Sequence, residues 1–154
     1  MPINRAFIGR EYPADGVYEV AREKIRDFAI AIGDLNPIYL DVEAAKAAGH
    51  SDVIAPPTFL TILGFRFAGD GPLADPSLGL NYALVVHGEQ KFVAHRPVRA
   101  GDRLTAVTHI DDIKDAGRNE LMSMRTEVGT EDGEQVATLV MSVVSRGTAA
   151  GEGS

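Results

Sequence analysis

Asp34, Asn36 and Tyr39 fall within the short run Gly33-Asp34-Leu35-Asn36-Pro37-Ile38-Tyr39. A carboxylate can take up and return a proton in acid–base chemistry. A phenol has a pKa of about 10, so it donates a hydrogen bond far more readily than it acts as a base. The same run also reads as a turn, with the Asp side chain bonded to nearby backbone and Asn36 and Pro37 shaping the loop. A second cluster is Ile54-Ala55-Pro56-Pro57-Thr58-Phe59. Its two prolines have no N–H, so Thr58 and Phe59 hold the first backbone donors of a helix starting there. The four histidines are His50, His87, His95 and His109. His50 sits in a loop before this second cluster, where it is either exposed or an imidazole near the site. His87 lies in a strand, where packing or hydrogen bonding is the default reading. His95 and His109 have no acidic or Cys partner at metal-ligand spacing, so no metal is expected.

The elements that must position these groups follow from periodicity. Ala21, Ile25, Phe28, Ala29 and Ile32 recur at helical spacing, which predicts a helix over 20–32 that Gly33 ends. A short helix is predicted over 42–48, with Asp41 as its N-cap and Gly49 as its stop. A third should start at Pro57 and run through Phe59, Leu60, Ile62, Leu63, Phe65 and Phe67. These residues surround most of the helix, so burial nearly all round is expected. Then the period changes. Residues 84–95, 102–112, 119–129 and 134–145 are rich in Val, Thr, Leu and Met and read as strands. Asp115-Ala116-Gly117 and Asp132-Gly133 supply turns between them. Residues 69–81 read as a long loop. One buried helix with a long antiparallel sheet makes the fold class α+β.

Composition narrows the function classes. The chain has 154 residues, enough for a single core. With 15 basic and 22 acidic residues its formal net charge is -7, and no basic stripe suited to nucleic acid dominates a segment. There is no cysteine, which excludes disulfide and thiolate chemistry and suits a cytoplasmic protein. No apolar run reaches the roughly 20 residues of a membrane span, and the start carries no signal-peptide pattern. Residues 1–146 are read as one domain and 147–154 as a disordered tail. Lys91, Arg96, Arg99 and Arg103 form a local basic cluster. It suits either the phosphates of coenzyme A or a carrier-protein arm, or a solvated strand edge.

Gly33, Asp34, Asn36, Pro37, Ile38 and Ala45, followed by Ile54–Phe59, resemble the MaoC-like (R)-specific hydratase and dehydratase family. The segment from His87 to Phe92, continuing through His95-Arg96-Pro97 to Gly101-Asp102, is similar too. The resemblance spans residues 8–145 and implies a hot-dog fold, with helix 57–68 at the centre of a wrapped sheet. In that family an Asp and a His handle the proton and water of a 3-hydroxyacyl thioester, and the start of the central helix faces the thioester carbonyl. Carried over, Asp34 and Tyr39 are the candidate catalytic residues, and Asn36, Pro57, Thr58 and Phe59 are the candidate substrate contacts. Tyr39 departs from the pattern, because the family has His there. The pKa gap between phenol and imidazole, roughly 3.5 units, makes the basic form nearly 5 kcal/mol costlier near neutral pH.

Within the family the sequence most resembles the accessory, non-catalytic subunit of the actinobacterial (3R)-hydroxyacyl-acyl carrier protein dehydratase. That resemblance implies a dehydratase or hydratase subunit in fatty acid metabolism, with a substrate carried by coenzyme A or acyl carrier protein. It implies a homodimer or a heterodimer with a catalytic hot-dog chain, and no cofactor. Two other readings stay open: a self-sufficient homodimeric hydratase using Asp34 with Tyr39 or His50, and a non-catalytic acyl-thioester-binding protein. A hot-dog thioesterase is disfavoured, since residues 57–68 hold no Asp or Glu.

Overall fold

The computed structural model describes residues 1–150. Four long strands carry the fold: β3 (Val85–Ala94), β4 (Arg103–Ala116), β5 (Asn119–Thr130) and β6 (Gln135–Ser145). Two short N-terminal strands that periodicity did not reveal, β1 (Glu11–Pro13) and β2 (Tyr18–Glu19), both pair with β4. The order β1-β4-β5-β6-β3 is antiparallel throughout, so β3 forms an edge. The hairpin turns hold Gly117 and Gly133 at φ +65° and +93°, in the left-handed region where glycine has no Cβ penalty.

Helix α1 (Arg22–Ile32) ends where Gly33 adopts φ 75° and its N–H returns to Ala29 and Ile30. Asn36 caps a four-residue helix, α2 (Pro37–Leu40), that the sequence reading treated as loop. Asp41 caps α3 (Val42–Ala47) by accepting the Glu43 N–H at 2.9 Å. The central helix differs from expectation at both its start and its surface. Regular α4 covers only Thr61–Arg66. Residues 57–60 form turns whose continuing bonds, such as Thr61 N–H to Thr58 O and Ile62 N–H to Phe59 O, span three residues. This first turn is therefore wound tighter than an α-helix. Leu63 and Phe67 are buried, but Phe65 is 81% exposed, because its face of the helix has nothing packed over it among the described residues.

One core cluster joins α1, Tyr39, Ala45, Phe59 and Leu60 to the sheet residues Leu104, Val128 and Leu139. A second, at the far end of the sheet, gathers Ile3, Leu78, Ile110, Met122 and Val143. The long loop at 69–81 is ordered as a succession of short 3-10 turns. Asn4 N–H to Leu78 O (2.8 Å), Tyr12 to Asp75 (2.8 Å) and Asp15 N–H to Asp70 (3.1 Å) tie it down. The expected disordered tail does not begin at Gly147. Thr148 is buried and donates to the carboxylate of Glu120 at 2.7 Å, and Ala149 N–H reaches Arg118 O. Glu120, itself fully buried, also accepts the Ile3 N–H, so Ile3 and Thr148 are both stapled to β5. Residues 151–154 lie outside the described residues.

Candidate functional site

The loop after α1 is built from side chains bonded to neighbouring backbone. Asp34 accepts the Asn36 N–H at 3.3 Å, and Asn36 accepts the Ile38 N–H at 3.2 Å. Asp34 and Asn36 stay at the surface while Tyr39 turns into the main core. Ile54 N–H donates to Ile38 O at 3.2 Å, which ties this loop to the approach to α4. Arg22 holds the same approach through Asp52, at 3.0 and 2.7 Å, and keeps that carboxyl below its usual range. The Phe28 and Phe59 rings meet edge to face with centroids 5.5 Å apart. Thus α1, the Asp34–Tyr39 loop and the first turn before α4 form one packed unit.

Electrostatics make Tyr39 a poor base. Burial, and then the Asp34 carboxylate, push its phenol above its ordinary pKa. Both effects disfavour a phenolate, so Tyr39 remains a neutral donor. Its hydroxyl makes no hydrogen bond among the described residues, yet it is not sealed from solvent. His50 does not fill the gap by hydrogen bonding, since its side chain makes no such bond among the described residues; only its backbone N–H is engaged, by Ala45 O at 3.0 Å.

The other expected contacts divide. Thr58 N–H has no acceptor among the described residues, and Pro57 and Thr58 are exposed. The Phe59 ring is fully buried, and its N–H donates to Pro56 O at 3.0 Å. Asn36 has its side-chain oxygen committed to the α2 cap. The basic cluster is also largely neutralised. Arg96 donates to both oxygens of Asp102 (2.8 and 3.0 Å) and to Glu134, while Arg103 pairs with Glu131 and Glu19.

A cavity of about 630 Å³ lies on the other side of α4, between that helix, the ordered loop and the sheet. Its walls are mainly apolar: Leu60, Leu63, Phe67, Met124, Leu139 and Met141. None of the six residues chosen from sequence lines it. Leu60 belongs both to the cavity wall and to the core that holds Tyr39 and Phe59. Alternation along β4 and β5 marks one set of side chains facing inward. Which strands lie side by side, and that the loop leaves space above them, is not written in any local period. Among the described residues no group of three or more His, Cys, Asp or Glu could hold a metal ion. No helix there is long and apolar enough to cross a membrane.

Comparison with known proteins agrees with this geometry. Residues 6–139 match the family model described as FAS1-like, dehydratase domain region. A UPF0336 protein of Saccharopolyspora erythraea is 54% identical over 149 residues, covering 97% of this chain and 95% of that one. A UPF0336 protein of Streptomyces avermitilis is 53% identical over 146 residues, covering 95% and 97%. Among solved structures, the HadBC (3R-hydroxyacyl-ACP dehydratase) complex of Mycobacterium tuberculosis superposes with a TM-score of 0.79 at 28% identity. It covers 93% of this chain and 99% of that one. A MaoC-like dehydratase gives a TM-score of 0.83 at 33% identity over 94% of this chain, which spans only 43% of that longer neighbour. The fold, the family model and these neighbours agree: the chain belongs to the FAS1-like dehydratase-region family and has the MaoC-like hot-dog fold.

Proposed function

We propose that this protein is the accessory subunit of a (3R)-3-hydroxyacyl-thioester dehydratase, acting in fatty acid metabolism beside a hot-dog chain that carries an Asp–His pair. The observation that carries this reading is that the Tyr39 phenol, after Asp34 in the candidate loop, is buried and pushed above its ordinary pKa, in a chain with an apolar-walled cavity of acyl size. Dehydration removes a weakly acidic proton from C2 and hydroxide from C3, and one group must take the proton while another serves the leaving oxygen. Asp34 can do one of these tasks. Tyr39, held protonated, can donate a hydrogen bond but cannot accept the proton at modest cost. The cavity then holds the acyl chain, while turnover belongs to the partner.

Two observations support a partner. The HadBC neighbour is a two-chain complex, as is the ChsH1–ChsH2 complex of M. tuberculosis, with a TM-score of 0.74. The edge strand β3 also leaves Val86 and Val93 exposed and its outer backbone unpaired, a surface that a second sheet can continue. The partner test is co-expression with a hot-dog chain that retains Asp and His. The isolated chain should hydrate 2-enoyl thioesters slowly or not at all, and the pair should turn them over. Fast turnover by the isolated chain, lost in Asp34→Asn, would establish the homodimeric enzyme instead.

A further inference from the structure

Thr108 of β4 and Thr126 of β5 are register partners, and their hydroxyl oxygens lie 2.8 Å apart. Both line the cavity beside α4, together with apolar residues such as Leu63, Met124 and Leu139 and with the polar side chains of Thr61, His87 and Gln90. In such a pair one O–H donates to the other oxygen. The second hydrogen is left over, along with lone pairs on both oxygens. Neither hydroxyl makes another hydrogen bond among the described residues. Tyr12, the next residue in the same cross-strand row, donates its hydroxyl to Asp75 at 2.8 Å and makes no hydrogen bond to Thr108 or Thr126. Water can serve the spare hydrogen while the cavity is empty of ligand. A plain alkyl chain would displace that water and leave the hydroxyl without a partner, a loss of about tenfold in affinity. An oxygen on the chain at that depth removes the penalty.

We propose that the cavity selects an acyl chain bearing an oxygen function, a hydroxyl or a carbonyl, at the level of Thr108 and Thr126. This rests on the acyl-thioester reading above and adds a chemical preference to it. The two hydroxyls then determine specificity without touching the reacting carbons.

The test titrates the full chain, alone and with a co-expressed partner, with coenzyme A esters of one acyl length. The esters are either plain or carry a single hydroxyl at successive carbons. One hydroxyl position should bind about tenfold more tightly than the plain ester. In Thr108→Val/Thr126→Val the gap should close, chiefly because the plain ester gains affinity. Thr126→Ser, which keeps the hydroxyl, should retain the gap, and Thr126→Val alone serves if the double variant does not fold. Equal affinity across the series overturns the proposal and leaves the acyl-thioester reading standing. A folded protein that binds none of the esters overturns both.

Discussion

Arg96→Ala separates a structural cation from a phosphate-binding one. Arg96 is 14% exposed and donates to both oxygens of Asp102, which is 8% exposed; its other partner, Glu134, is 53% exposed. Arg96 also donates to Pro97 O at 2.8 Å. Removing one partner of a buried pair typically costs about 3–5 kcal/mol, because the other charge is left uncompensated. The lower end applies here. Asp102 keeps the Arg99 N–H at 2.9 Å, and the Glu134 pair is too exposed to add much. A loss of about 3 kcal/mol in a chain of this size lowers Tm by about 6–12 °C. Asp102→Ala added to Arg96→Ala should recover part of that loss, since no buried charge then remains. Thermal unfolding by circular dichroism reads the stability, and coenzyme A thioester affinity at low and raised salt reads the phosphate role. If Arg96→Ala leaves Tm unchanged but weakens thioester binding in a salt-dependent way, the strut assignment is refuted.

Glu120→Leu should destabilise the protein by about 1–3 kcal/mol, since it strands the buried Ile3 N–H and leaves the Thr148 hydroxyl only its 3.3 Å bond to Ser145 O, and hydrogen exchange should rise around Ile3 and Thr148. The Tyr12 phenol is pushed up to about 12 by burial and then by its bond to Asp75. Its contribution is therefore complete below pH about 10 and is lost as pH rises through about 12. Alkaline unfolding should show that fall in the parent chain, and a flatter profile in Tyr12→Phe. Tyr39→His should place an imidazole beside Asp34 and yield a small gain in enoyl-thioester hydration, limited by misplacement that costs on the order of a hundredfold per ~1 Å. Adding Asp34→Asn should remove that gain. A folded Tyr39→His protein with unchanged rates would show that the site lacks more than an imidazole.

What sequence alone determined is what lies within a few residues along the chain. The Gly33 stop, the Asp41 cap, the four long strands and the Asp132-Gly133 turn all lie where spacing predicts, because helical and strand periods and caps act between near neighbours. The Asp34–Asn36 turn was legible for the same reason. Chain-distant contacts decided the rest. Arg96 read as a free cation until the fold brought Asp102 and Glu134 against it. Glu120 read as an ordinary strand residue until Ile3 and Thr148 converged on its carboxylate. The central helix reads as buried nearly all round, yet Phe65 is exposed because nothing among the described residues packs over its face. Thr108 and Thr126 became a hydroxyl pair only through the β4–β5 register, where a one-residue slip would put them on opposite faces. A period tells which residues share a face; only strand pairing and the packing of helix and loop over the sheet decide what that face meets.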